Sequence, residues 1–285
     1  MVNKTVTNEG LSLILFMTKS GTSFFSCLES RVEQDGEMYA RFYLGKFSRG
    51  QALTLINPLR RVLLGEMPAL IINTVEIAGV NHEFSILDGV QENVLDLLLN
   101  LKGLVFALTG SHSSFLKNDT NSFTGYLNVK GPNRVTGHDI KLPHGLTCVN
   151  PDHYIATITI ASQLQIHFQI KLVDQRNTST EFGASKEPEN TSTTFNLKEF
   201  ENKFSKKTFY LDAFPAPVRR VNYVIQDLDT VNETESITLE VWTDGSLQPH
   251  QAVEFAFQQL TYQFYTFTKL SKRISTEIPN LMSLS

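Results

Sequence analysis

Cysteine is scarce in this 285-residue chain. Cys27 and Cys148 match neither a metal-ligand spacing nor a disulfide framework, so they read as two thiols in a reducing compartment. Long apolar runs are missing too. The one candidate, Leu11-Ser-Leu-Ile-Leu-Phe-Met17, is far too short to span a bilayer. With Glu9 just before it and no clear small-residue cleavage site, it reads as a strand or an irregular N-terminal arm rather than a signal peptide. Asn-x-Ser/Thr triplets at Asn3, Asn118, Asn177, Asn190 and Asn232 then carry no glycosylation meaning. Excess positive charge is also lacking. A net charge of −4 and a pI near 6.0 argue against a protein whose own surface grips DNA or RNA.

The usual signatures of catalysis are equally sparse. His82-Glu83 has no second histidine at the spacing a zinc-binding helix requires. His112, His138, His144, His153, His167 and His250 are dispersed over polar turns and strands, where a surface or capping role is the simpler reading. No phosphate-cradling glycine loop, nucleophile elbow or aspartate-rich metal loop occurs. The chain reads as soluble and intracellular, with no membrane association.

What is present is enough apolar residue, 41%, for one large or two modest cores. Residues 24–46 alternate around Asp35-Gly36 and predict a hairpin with strands near 24–33 and 37–44. From Gly50 to Gly65 a helical stripe runs through Leu55, Ile56, Leu59, Val62 and Leu63. Pro58 interrupts it, so either the helix kinks there or Asn57 caps a shorter helix with Pro58 in its first turn. A strand over Leu70–Ile77 follows. Asp88 and Gln91 form a candidate capping pair for a helix with apolar positions Val90, Val94, Leu97, Leu98 and Leu101, stopped at Gly103. Residues 104–172 read as short strands, with turns at Gly131-Pro132, Pro143-His-Gly145 and Asn150-Pro151, and strands at Tyr154–Ile160 and Gln163–Val173. The polar segments 109–122 and 174–207 read as surface insertions. Thr208–Leu211, Val218–Asp227 and Ser236–Thr243 are predicted strands, with Asp244-Gly245 turning into a last helix.

That helix, about Pro249 to Leu270, carries a single charge, Glu254, between Ala252 and Phe267. Phe255, Phe257, Leu260, Tyr262, Phe264, Tyr265 and Phe267 surround its axis. A helix apolar on most sides is buried on most sides, in an oligomer interface or in a core. Arg60-Arg61 and Arg219-Arg220 are the charged pairs to weigh against a merely solvated helix face or strand edge.

Three blocks now stand in order: Asn57-Pro-Leu-Arg-Arg-Val-Leu-Leu-Gly-Glu-Met-Pro68, Val75-Glu-Ile-Ala-Gly-Val-Asn-His-Glu-Phe-Ser85 and Gly89-Val-Gln-Glu-Asn-Val-Leu-Asp-Leu-Leu-Leu-Asn-Leu-Lys-Gly103. In order and spacing they resemble the N-terminal region of the alpha subunit of bacterial-type DNA-directed RNA polymerase. Leu211-Asp-Ala-Phe-Pro-Ala-Pro-Val-Arg219 and Ile237-Thr-Leu-Glu-Val-Trp-Thr-Asp-Gly-Ser246 extend the likeness, which covers about 40–107 and 208–268. Gly50-Gln-Ala52 and Leu64-Gly-Glu66 look more similar to plastid-encoded members than to most bacterial ones.

The resemblance implies an α+β fold: a discontinuous dimerisation domain over 1–69 plus 217–285, with two interface helices, and an inserted, mostly β domain over 70–216. It implies a homodimer that serves as scaffold for the beta and beta-prime subunits, itself non-catalytic within a nucleotidyltransferase complex. Arg61, Arg60, Lys102 and His82 become the expected beta-subunit contacts, Arg61 foremost because its planar fork suits bidentate interface bonds. Asp212, Pro217 and Arg219 mark the expected beta-prime region. Leu55, Leu59, Val62, Leu63, Ala252, Ala256, Phe257, Leu260 and Phe264 are the expected dimer interface. No cofactor is expected in this chain, magnesium belonging to the catalytic subunits, and DNA is reached only through the complex. No separate C-terminal DNA-binding domain is expected. The expected location is the plastid stroma, with a bacterial cytoplasm as the alternative. A stand-alone homodimeric α+β binding protein or enzyme is the rival reading.

Overall fold

The structure, a computed structural model, describes residues 15–17, 24–33, 36–109, 122–173, 208–211, 216–229 and 234–282, the side chains of 15–17, 228–229 and 272–282 excepted. It divides into two compact units: Met1–Met67 with Val218–Ser285, and Pro68–Pro217 between them. Helices and antiparallel sheets are segregated rather than alternating, which makes the architecture α+β.

The first unit is a five-stranded antiparallel sheet. Its strands are β1 (Leu15–Met17), β2 (Phe24–Val32), β3 (Met38–Ser48), β13 (Val218–Asp229) and β14 (Thr234–Thr243), in the order β1-β2-β3-β14-β13. One face is covered by α1 (Gln51–Gly65) and by the last helix, α3 (Pro249–Met282). The core joins Phe42, Leu44, Ile237, Leu239 and Val241 of the sheet to Ile56, Leu59, Val62 and Leu63 of α1 and to Ala252, Val253, Ala256 and Leu260 of α3.

Pro58 lies inside α1, which runs unbroken from Gln51. The Asn57 cap is therefore not used; the N-cap is Gly50, at φ 82°, where glycine avoids the left-handed strain of other residues. An interior proline costs about 3 kcal/mol. Full burial of Leu59, Val62 and Leu63, each worth roughly 1.5–3 kcal/mol, outweighs it. Asn57 serves elsewhere, its Oδ1 accepting from the Tyr223 hydroxyl at 3.0 Å.

Across the opposite face of this sheet, register stacks Arg31, Tyr39, Trp242 and Arg220 side by side on four neighbouring strands. The guanidinium of Arg31 lies 4.5 Å from the Tyr39 ring centre, Tyr39 and Trp242 are 4.9 Å apart, and Arg220 is 4.7 Å from Trp242. Burial, aided by the Glu240 carboxylate that accepts its proton at 2.9 Å, pushes the Tyr39 phenol up to about 12.

The second unit holds a five-stranded antiparallel sheet with strand order β12-β4-β11-β6-β8. These are β4 (Ala69–Ile77), β6 (Ser122–Lys130), β8 (Ile140–Lys141), β11 (Gln163–Val173) and β12 (Thr208–Tyr210). Two small ribbons pair β7 (Asn133–Thr136) with β10 (Tyr154–Ile158), and β5 (Phe106–Leu108) with β9 (Leu146–Cys148). Helix α2 (Val94–Lys102) buries Val94, Leu97, Leu98 and Leu101 in the same core as Val75, Ile155, Ile166 and Phe168.

Several boundaries differ from the sequence expectation. The capping pair Asp88 and Gln91 is not formed. Asn93 caps α2, its side chain accepting from Asp96 N at 2.8 Å. Residues 85–93 are drawn instead into β-bridges, Ile86 with Asn93 and Val90 with Ile158. Glu92 is pinned by Thr157 N at 2.8 Å and by the Tyr154 hydroxyl. The first of the two strands expected after Asn150-Pro151 ends at Ile158, and α3 runs on to Met282 rather than stopping at Leu270. The insertions at 109–122 and 174–207 lie, but for Thr109 and Ser122, outside the described residues.

Candidate assembly surfaces

On α1, Leu59, Val62 and Leu63 point into the core, which turns Arg60 and Arg61 outward as an exposed adjacent pair. Among the described residues neither guanidinium has an ion-pair partner. Leu53 and Leu64 are exposed on the same helix, and Leu55 is half-buried.

In the second unit, His82 and Lys102 are both exposed but are not neighbours. The turn carrying His82 is tied to the start of α2 by Val94 N donating to Ser85 O at 3.3 Å. Lys102 is at the other end of the helix, about 13 Å away along its axis. Beside His82, Phe84 and Ile86 are 73% and 82% exposed. Sequence reasoning assigned no role to this apolar pair, which stands exposed while the adjacent Leu87 packs against the core.

Of the residues expected to meet beta-prime, Asp212 lies outside the described residues and Pro217 is buried. Arg219 is exposed near Asp244. Burial pushes the Asp244 carboxyl up from the usual range, and the Ser246 N and Oγ bonds, at 2.9 and 2.5 Å, and the Arg219 charge pull the other way.

Within one chain the residues of the expected dimer interface divide into buried and exposed sets. Leu59, Val62, Leu63, Ala252, Ala256 and Leu260 are all buried within their own unit. They build the core of that unit. Phe257 and Leu55 are half-buried, and Phe264 is 64% exposed. The apolar surface begins where α3 leaves the sheet: every residue from Thr261 to Ser271 is exposed. Tyr262, Tyr265 and Phe267 stand out with Phe264, on the order of 500 Å² of aromatic surface within about two turns. Within one chain the helix is therefore covered only over its first three turns, which already fill the core.

Among the described residues no helix is long and apolar enough to cross a membrane, and no group of three or more His, Cys, Asp or Glu is placed to hold a metal.

The model of the RNA polymerase Rpb3/RpoA insert domain matches residues 75–207, a span that opens within β4 and closes just before β12. A DNA-directed RNA polymerase subunit alpha of Chlorella vulgaris is 40% identical over 278 residues, covering 90% of this chain and 99% of that protein. The chain belongs to the RNA polymerase alpha-subunit family. Alpha subunits of Cyanidium caldarium and Gloeobacter violaceus are 38% and 37% identical, over 84% and 83% of this chain and 68% of each relative.

Proposed function

We propose that two copies of this alpha-family chain associate through α1 and α3, and that the dimer is the platform on which the beta and beta-prime subunits of a DNA-directed RNA polymerase assemble. The dimerisation domain is the unit formed by the two ends of the chain, about 1–69 plus 217–285, and 70–216 is its insert. The observation that carries this reading is the exposed aromatic surface on α3 beyond Leu260, too large to leave in water on a monomer. Arg61 and Arg60, with His82 and Lys102, form the surfaces offered to beta, and Arg219 marks the beta-prime side.

Nucleotidyl transfer and its magnesium belong to the large subunits, and this chain contributes no catalytic group. Relatives in Chlorella vulgaris and Cyanidium caldarium support a plastid stroma, and the Gloeobacter violaceus relative leaves a bacterial cytoplasm as the alternative. Affinity purification of the tagged chain tests the whole reading: two very large subunits should come with it. Arg61→Ala should leave the dimer intact and weaken beta capture by about 2 kcal/mol, the usual loss for a desolvated interfacial arginine. A variant that captures beta as well as its parent would remove Arg61 from the interface.

A further inference from the structure

The loop Val149-Asn-Pro-Asp-His153 closes on the end of α2. The Asn150 amide spans it like a short rung of sheet: Nδ2 donates to Gly103 O at 2.9 Å, and Oδ1 accepts from Val105 N at 2.9 Å. His153 Nε2 is 2.9 Å from Asn100 O, and a carbonyl only accepts, so this nitrogen donates. Asn100 returns the tie, its Nδ2 donating to Ile155 O at 2.9 Å, and Val149 N donates to Val105 O at 2.9 Å. Gly103 leaves the room: a Cβ there would stand 2.6 Å from His153 Nε2.

Five bonds from one loop and the strand it leads into thus hold Asn100 to Val105, the turn that carries exposed Lys102. A nine-residue helix is marginal on its own, and its last turn frays unless its carbonyls are satisfied. We infer that Asn150 and His153 are positioning residues for large-subunit capture: they fix the last turn of α2 so that Lys102 is presented in one orientation. This rests on the reading above that Lys102 meets the beta subunit.

The energetic logic is pre-organisation. A lysine on an unravelling turn spends binding free energy on ordering itself, and one on a clamped turn does not. Neither Asn150 nor His153 need touch the partner for its loss to be felt there.

The test is capture of the beta subunit by the full-length chain, comparing Lys102→Ala, Asn150→Ala, His153→Ala and each double variant with Lys102→Ala. Circular dichroism and light scattering check fold and dimer. Lys102→Ala is expected to weaken capture roughly tenfold, and each clasp variant several-fold, with no further loss once Lys102 is already gone. His153→Gln, whose amide reaches the same carbonyl, should restore capture, and His153→Asn, one methylene shorter, should not. If His153→Ala fails to fold, the glutamine–asparagine pair decides alone. Losses that add fully to Lys102→Ala, or clasp variants that capture normally while Lys102→Ala does not, overturn the inference and leave the Lys102 contact standing. A silent Lys102→Ala removes that contact and the inference together.

Discussion

Asp244 shows how one side chain can serve a turn at a cost that depends on pH. Its carboxylate organises the turn into α3 through Ser246, yet burial raises its proton affinity in the folded chain. A raised folded value means that the native state holds the proton more tightly than the unfolded one. The stability from that difference is complete below the unfolded value near 3.8 and is lost as pH rises through the higher folded value. Asp244→Asn keeps an acceptor for Ser246 and cannot titrate. Urea denaturation at a series of pH values should therefore show the variant gaining on its parent as pH rises above the unfolded value near 3.8, the gap levelling off once the pH has passed the raised folded value. A constant gap across the series would assign the shift to another group.

At the scale of elements, Asn93 and Asp88 offer a direct comparison, because both are exposed acceptors within a few residues of α2. Only Asn93 bonds a free helical N–H, that of Asp96. Asn93→Ala should cost about 1 kcal/mol of unfolding free energy, and Asp88→Ala should stay within about 0.5 kcal/mol; chemical denaturation reads both. Equal losses would place the cap elsewhere.

The element boundaries also show what the sequence made legible. The strand Gln163–Val173 is readable residue for residue because its alternation is carried by Leu164, Ile166, Phe168 and Ile170, all buried on one side. The helix start at Val94 is not, because Val90 is held by a β-bridge to Ile158, far along the chain, and Ile86 by one to Asn93, and neither leaves a local periodicity. The outward arginine pair is legible in the same way, being fixed by the apolar spacing of α1. The split of α3 into a buried first part and an exposed second part is not, since a hydrophobic pattern records that a face is covered and not by which molecule. The clasp on Lys102 was invisible for a plainer reason: Asn150 and His153 meet Gly103 and Asn100 from about fifty residues away.

For the whole molecule, that division of α3 separates folding from association. Leu260→Asp places a charge in the unit's own core and should unfold it. Phe267→Asp lies on the exposed part, where Phe267 is 71% exposed, and should give a folded monomer at micromolar concentration. Light scattering alongside circular dichroism distinguishes the two, and a Phe267→Asp dimer would move the interface away from this surface.

The pairing of β3 with β14 carries a consequence for the order of events on the ribosome. Tyr39 and Glu240 are bonded partners 201 residues apart in the chain. At about 5–20 residues per second, translation leaves β3 without that neighbour for roughly 10–40 s. Throughout that wait Phe42, Leu44 and the apolar stripe of α1 are emerged and uncovered, a ready ligand for a holdase chaperone. The unit between them is complete at Pro217, shortly before Glu240 is made. Nascent chains arrested shortly after Pro217, with enough extra linker to clear the exit tunnel, should yield a protease-resistant fragment spanning 68–217, with cleavage throughout 38–65. Resistance of 38–65 at that arrest point would mean that the leading segment finds temporary shelter before its own strands arrive.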